Sequence, residues 1–282
     1  MVLEAILNPF TASKRPWETF IIGIVYSSAA LFLSLWIFEE YASLVMVFLT
    51  VMACIPLFYQ TMIAEEEKDD VIDSERQLLK EHSKAVIFLM VLFLGITVAF
   101  SFWYTFLPSD LSNNVFKVQT QTIASLNQQV TASVARLNLL NKIFLNNIKV
   151  LIFCILFSFI YSFGAMFILA WNASVIGAAA GNFIRTHLAS YAEATGVYRI
   201  ASYFHATALS ILRYAIHGIP EILAYIIAGL AGGILSVAIV KHEFGTKNFE
   251  RILLDASDLI LLSVFVLFIA AILEVFITPL FF

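Results

Sequence analysis

The chain has 282 residues, of which 61% are hydrophobic and only 13% carry a charged side chain. A soluble domain has about a quarter charged residues, so these polar side chains cannot cover a water-facing surface of this size. A net charge of −4, with no basic patch among aromatics, argues against a nucleic-acid partner. Cys54 and Cys154 lie in apolar runs, so neither a disulfide framework nor a cysteine metal site is indicated.

Seven apolar segments are each close to the roughly 20 residues that cross a ~30 Å hydrocarbon layer as a helix. They lie at about 20–37, 42–63, 85–106, 149–170, 174–193, 221–240 and 259–278. The sequence therefore predicts an all-α, polytopic helical bundle in the cell membrane. It forms a single transmembrane domain over residues 1–282, with the lipid bilayer as its first partner.

Two polar segments connect the predicted spans. Residues 65–84 mix acids with bases and predict a solvated cytoplasmic helix between spans two and three. Residues 109–147 form the largest polar loop, on the outer side. Apolar residues recur in this loop at spacings of three and four, which places them on one helical face. This stripe, which is Ile123, Leu126, Val130, Val134 and Leu137, could pack on the membrane surface, on the same subunit or on a second copy.

The distribution of basic residues favours one orientation. Seven crossings that begin in the cytoplasm place more Lys and Arg in cytoplasmic segments than in outer ones. Cytoplasmic loops of membrane proteins carry such an excess. We therefore predict a cytoplasmic amino terminus and a carboxyl terminus outside.

Pairs of glycines four residues apart occur in two predicted spans. Gly177 and Gly181 lie in span five, and Gly229 and Gly233 lie in span six. Small residues at this spacing allow a neighbouring helix to approach closely. We expect spans five and six to be the close-packed pair. Together with the loop stripe, the glycines also favour a homo-oligomer, most simply a dimer.

Polar and ionisable residues gather between Trp171 and Lys241 although their surroundings are apolar. Each costs several kcal/mol in hydrocarbon unless it is paired or faces protein or water. The set is Asn172, Asn182, Arg185, His187, Glu193, His205, Arg213, His217 and Glu221. In the predicted topology these residues lie near one depth on the outer side, so they form a candidate polar cluster.

The helical pattern is interrupted within this cluster. Residues 217–221 read His-Gly-Ile-Pro-Glu, and Pro220 lacks an amide hydrogen and suits a first helical turn. The sequence thus predicts a broken-helix region around 205–221, with a new helix beginning near Pro220.

Three interpretations of the cluster remain open at this point. In the first, the side chains pair with each other and with backbone groups freed at the break. In the second, they line a path for ions or protons, as in transporters with broken helices. In the third, His205, His217 and Glu221, with Glu193 or His187, bind a divalent metal such as zinc in a structural or hydrolytic site. No HExxH spacing supports the third, and no phosphate-binding loop indicates nucleotide chemistry.

One motif resembles a known family. His217-Gly218-Ile219-Pro220-Glu221, followed by Leu223-Ala224 and by Gly229 and Gly232-Gly233, resembles the His-Gly-x-x-Glu signature of the stage II sporulation protein M family. Asn172 leading to Gly177 resembles that family's Asn-Gly…Gly element. The chain departs from the pattern at Ala173, where the family usually has Gly, and at Ile216, where it often has Pro.

The resemblance implies an integral membrane protein that acts without catalysis. In spore formers the family's namesake joins partners in a complex that remodels peptidoglycan during engulfment. By position, His217 and Glu221 are the signature residues and Asn172 follows. We therefore expect a non-enzymatic scaffold or envelope-complex component with envelope proteins as partners. The alternative is a transporter or channel that uses the polar cluster, and a metal-dependent membrane hydrolase ranks third.

Overall fold

The structure is a computed structural model that describes residues 16–72, 74–130, 136–190, 197–241 and 245–281. Nearly all of these residues are helical, and none lies in a strand. The helices found there are α1 Pro16–Ile37, α2 Ala42–Val71, α3 Glu75–Phe106, α4 Ser109–Val115, α5 Lys117–Val130, α6 Arg136–Tyr161, α7 Ala165–Ser190, α8 Val197–Val240 and α9 Lys247–Ile272. A π-helical turn, Leu273–Ile277, and a 3-10 turn, Thr278–Leu280, follow α9.

Seven of these helices are long and apolar enough to cross a bilayer: α1, α2, α3, α6, α7, α8 and α9. The predicted all-α class and the seven spans are confirmed. Helices α1, α6 and α9 are mostly exposed, which is what lipid-facing helices require, whereas α8 is the most buried span. The bundle is therefore arranged around α8.

In the described structure five helices contact α8, namely α2, α3, α6, α7 and α9. Small residues of α8 allow α2, α6 and α7 to approach closely. A Cβ atom built on Gly232 would lie 2.7 Å from the Ile155 carbonyl oxygen of α6. One built on Gly233 would lie 2.5 Å from Met62 Sδ of α2. A side chain at either position would separate these helices.

The glycine pairs differ from the prediction in their partners. Gly177 and Gly181 of α7 face α3, where added Cβ atoms would each lie 2.7 Å from the Cβ atoms of Phe100 and Tyr104. Gly229 does meet α7, because its Cβ would lie 2.5 Å from Ala165 Cβ. The expectation that both pairs serve one interface between spans five and six is wrong. The spacing of glycines identifies a helix face made of small side chains, but it does not identify the helix that packs on that face.

Charged side chains pair where α2, α3 and α8 meet, and we call this region the charged end. Here the structure has the end of α2 and the start of α3 instead of one helix over 65–84. Glu65 is buried, with Oε2 2.9 Å from His82 Nδ1, and Oε1 accepts a bond from Lys68 Nζ at 2.5 Å. Glu66, also buried, accepts a bond from Lys241, which directly follows α8. Because their charges are paired in this way, the two carboxylates can be buried away from water.

The turn between α6 and α7 lies at residues 162–164, earlier than the expected boundary at 171–173. Ser162 adopts the left-handed conformation with φ 58°, and its hydroxyl lies 2.9 Å from that of Ser236. Ser158 Oγ accepts a bond from the Ala165 amide at 3.0 Å, which satisfies a donor at the start of α7. The turn is embedded in an apolar run, so hydropathy does not reveal it.

In the segment predicted as a polar outer loop, 109–147, the described residues 109–130 and 136–147 fold into α4, α5 and the start of α6. Gln119 is fully buried, and its Nε2 donates to the Ser43 carbonyl at 3.0 Å and to Ser174 Oγ at 3.2 Å. Ile123, the first member of the loop stripe, packs on the core of this same subunit. Val134 lies outside the described residues.

The ion pair at the charged end gives a first prediction. Replacing Lys241 with Ala removes an ammonium group from the buried Glu66 carboxylate. Breaking a buried pair costs about 3–5 kcal/mol, and we expect the lower value because the Lys241 side chain is 37% exposed. Chemical denaturation in micelles measures the change.

The matched control is Lys84→Ala. Lys84 pairs with Glu81 at 2.5 Å, but its side chain is 50% exposed. Such exposed pairs contribute about 0–1 kcal/mol. Equal losses for the two variants would show that the Glu66–Lys241 pair is no more important than a surface contact.

Candidate functional site

Polar residues of α8 lie on one face of the helix, where Tyr214 donates to the Ala179 carbonyl of α7 and His217 bonds to Thr278 in the turns after α9. At about 100° per residue, Tyr214, His217, Gly218, Glu221 and Tyr225 fall within an arc of roughly 100°. The middle of α8 contacts both the π-helical turn and the 3-10 turn. This face and those turns form the candidate site.

A buried tyrosine holds the first carboxylate. Tyr225 is fully buried, and its hydroxyl donates to Glu221 Oε1 at 2.8 Å. The two residues are four apart and therefore neighbours on the helix surface. Glu221 itself is half-buried, and no hydrogen bond from a described residue reaches its second oxygen.

The histidine joins α8 to the end of α9. His217 Nδ1 lies 3.2 Å from Thr278 Oγ1, and Thr278 Oγ1 donates to the Leu273 carbonyl at 3.1 Å. A hydroxyl has one proton and a carbonyl oxygen can only accept, so His217 Nδ1 must donate to Thr278. The other ring nitrogen of a neutral His217 then carries a lone pair.

A second carboxylate lies near Glu221 and Tyr225. Glu274 belongs to the π-helical turn and is half-buried. The charge of Glu221 acts on Glu274, and the charges of both carboxylates act on Tyr225. Turns of this kind are frequent at functional sites. Two negative charges repel strongly in apolar surroundings unless a proton or another cation accompanies them.

Other members of the predicted cluster join helices elsewhere. Arg185 of α7 donates to the carbonyl oxygens of Leu107 and of Thr105, the latter at 3.3 Å. Its guanidinium lies 5.6 Å from the centre of the Tyr104 ring. Arg185 therefore caps the carboxyl end of α3, where a cation is favoured.

Around Phe183, aromatic contacts join α7 to α8. Arg213 of α8 lies 5.5 Å from the Phe183 ring centre. His187 stacks on the same ring at 3.9 Å and donates from Nδ1 to the Phe183 carbonyl at 2.9 Å. Asn182 receives a long bond of 3.4 Å from Tyr104. These residues hold helices together, away from the carboxylate pair.

The remaining candidates do not reach the site. Asn172 lies within α7 and donates to the Ile168 carbonyl at 2.8 Å. His205 is exposed on α8, and Glu193 lies outside the described residues. The described members of the predicted cluster are thus not gathered at one site.

The predicted broken helix is wrong, because α8 continues from Val197 to Val240 with Pro220 inside it. Pro220 removes one backbone hydrogen bond, but the buried packing that follows on α8 holds the helix through this position. His205 and His217 are therefore about 18 Å apart along one helix and cannot bind the same metal ion. Among the described residues, no three His, Cys, Asp or Glu side chains have metal-ligand spacing. The proposed zinc triad is corrected accordingly.

Tyr225, Glu274 and Thr278 are site residues that the sequence analysis missed. A signal was present for Glu274, the only charged residue in 259–282. An ionisable residue inside a membrane span is by itself a mark of function. Tyr225 also follows Glu221 by one helical turn.

The fold and this site define a multi-pass α-helical membrane protein with an ionisable site between its last two helices. The family model for stage II sporulation protein M matches residues 84–279. That match covers well over half of the chain, so the chain belongs to this family. It includes residues 84–106 of α3, all of α4 to α9, and every site residue. No curated protein and no solved structure matches the chain.

The bond between Tyr225 and Glu221 gives the second prediction. Tyr225→Phe keeps the ring and removes the one hydroxyl that donates to Glu221. Leaving a buried acceptor without its donor costs about 1–3 kcal/mol. Denaturant unfolding should show this loss.

Tyr161→Phe is the control, because Tyr161 is 55% exposed at the end of α6. We expect a change within about 0.5 kcal/mol, as for most surface substitutions. If Tyr225→Phe were as mild as Tyr161→Phe, the tyrosine would not support Glu221.

Proposed function

We propose that this protein is a non-enzymatic membrane scaffold, a component of a complex that holds envelope proteins together. The observation that carries the proposal is family membership across α3 to α9. The family's namesake joins partners in such a complex in spore formers. A scaffold requires a rigid frame in the bilayer and a polar surface that partners can bind.

The contacts of α8 support a rigid frame. His217 bonds to Thr278 and so joins α8 to the end of α9, while the bond from Tyr225 to Glu221 fixes a polar pair within α8. Close packing of Gly232 on α6 and of Gly233 on α2 adds to this rigidity.

Helices α4 and α5 offer the partner surface. Asn113, Lys117 and Thr120 are exposed there, while Phe116 and Gln119 are buried and anchor the segment. With the amino terminus in the cytoplasm, this surface faces the cell envelope. A second copy of the chain is a further partner that we propose.

Site-specific photocrosslinking tests the scaffold, and this is the third prediction. A photoreactive amino acid at Asn113 or Thr120 should capture the same envelope protein in cells, identified by mass spectrometry. The control is Phe153 of α6, which is 53% exposed on a peripheral span and should contact lipid. Equal capture at all three positions, or none at positions 113 and 120, would contradict the proposal.

Transport of ions or protons is the second candidate, and the paired carboxylates Glu221 and Glu274 favour it. The purified chain in proteoliposomes distinguishes the two functions. A scaffold gives no proton or cation flux above that of empty vesicles. A flux that Glu274→Gln abolishes would replace the scaffold with a transporter.

A further inference from the structure

Two lysines lie on the face of α6 that points away from the bundle. The residues that α6 buries recur at spacings of three and four and are Asn147, Leu151, Cys154 and Ser158. At about 100° per residue, Lys142 and Lys149 lie within about 20° of each other, on the opposite side of the helix. Both lysines are exposed, as this position requires.

The same face continues as an apolar surface toward the end of the helix. Phe153, Leu156 and Ile160 follow Lys149 along this face, and all three are exposed. Helix α6 is also the least buried of the seven spans. Because α6 is peripheral, this surface faces the acyl chains of the bilayer. An acyl chain that lies against it has its headgroup at the level of the lysines.

Neither lysine has an anionic partner in the protein. In the described structure, Lys142 and Lys149 form no ion pair with any carboxylate. The π-helical turn contacts α6, yet its Glu274 does not pair with them either. The helix itself supplies no acid, since the charged residues of 136–161 are Arg136 and the two lysines. The outer part of α6 is therefore purely basic.

The depth of Lys149 in the bilayer follows from the length of structure beyond it. Helix α6 ends at Tyr161, about 18 Å farther along the helix. Ser162 in the next turn contacts Ser236 of α8, and Lys241 at the charged end lies about 8 Å beyond that level. Together these lengths fall short of the ~30 Å hydrocarbon layer. With the charged end at one membrane surface, Lys149 lies at the opposite edge of the layer or just inside it.

The two lysines lie on either side of the level of the lipid phosphates. Lys142 is seven residues before Lys149, which places it about 10 Å farther out. The headgroup region is about 5–8 Å thick on each side of a bilayer, so the phosphates lie between these two levels. Long lysine side chains can extend along the helix, Lys149 outward and Lys142 inward. A charge at the hydrocarbon edge is costly without a counter-charge, and lipid phosphate is the anion at this depth.

We propose that Lys142 and Lys149 together bind the phosphate of one anionic phospholipid, whose acyl chain lies along Phe153, Leu156 and Ile160. A zwitterionic phospholipid carries a cation beside its phosphate, and this cation repels the lysines. The site therefore selects a headgroup with a net negative charge. With the amino terminus in the cytoplasm, the bound lipid belongs to the outer leaflet. This inference does not rest on the scaffold function.

Native mass spectrometry of the full chain tests the site, and this is the fourth prediction. Phosphatidylglycerol and phosphatidylcholine with identical acyl chains are the two lipids added. A basic residue near an anionic lipid surface strengthens binding about fivefold. The wild type should therefore prefer phosphatidylglycerol more than tenfold. Lys142→Gln and Lys149→Gln should each lower this preference about fivefold, and the double variant should bind both lipids equally.

Arg136→Gln is the matched control. Arg136 is exposed on the same helix, and it forms no ion pair with a described residue. On the helical wheel it lies more than about 100° from both lysines, and it is farther out than either. Its loss should change the lipid preference less than twofold. Lys142→Arg and Lys149→Arg keep the charge and should keep the preference, while circular dichroism and gel filtration establish that every variant is folded.

Three results would overturn the proposal. A wild type that binds the two lipids equally would show that the lysines are only hydrated. A double glutamine variant that keeps the preference would place the lipid elsewhere on the protein. A loss in Arg136→Gln as large as in Lys142→Gln or Lys149→Gln would show diffuse attraction to a basic helix end instead of a site.

Discussion

A polar group inside a bilayer has no water to bond with, and this constraint determines how α8 is built. Helix α8 is the most buried span, so its polar groups must find partners within the protein. Its residues Gly229, Gly232 and Gly233 pack against α7, α6 and α2. Earlier in the helix, His217, Glu221 and Tyr225 pair with one another or with the end of α9. Polar pairing and close packing thus occupy successive levels of one helix.

Ionisable groups lie at both edges of the apolar part of α8. His217 and Lys241 are 24 positions apart, which is about 36 Å along a helix, somewhat more than the ~30 Å hydrocarbon layer. Lys241 pairs with Glu66 at one edge, and His217 bonds to Thr278 at the other. The residues between them include no acid, lysine, arginine or histidine except Glu221 near the edge. The candidate site therefore lies near a membrane surface, where an ion or a partner could reach it from water.

Hydropathy and spacing predict much of this fold, because span length and lipid exposure are properties of each segment alone. Contacts between segments are harder to predict. Gly218 and Pro220 indicate a break, but burial of α8 against five neighbouring helices keeps the helix intact. Hydropathy does not indicate the turn at Ser162, because the turn lies inside an apolar run. Its polar groups form hydrogen bonds with Ser236 and with the adjacent backbone.

The signature residues His217 and Glu221 were predicted as site members, but the partners Thr278 and Glu274 come from a distant part of the chain. Arg185 shows the converse case. It lies within the predicted cluster by sequence, yet its guanidinium extends to the end of α3 and binds backbone carbonyls. Sequence proximity places charges at a similar depth. It does not determine which helix each side chain contacts, because that depends on which helices pack against one another in the bundle.

The central claim is that an unbroken α8 presents His217 to the turn after α9. Disulfide formation in membranes between Cys residues introduced at His217 and Thr278 tests it directly, since their side chains lie in hydrogen-bond contact. Rapid crosslinking of this pair, with none between positions 205 and 278, is the predicted result, because about 18 Å of helix separates 205 from 217. Efficient crosslinking of 205 to 278, or none of 217 to 278, would contradict it.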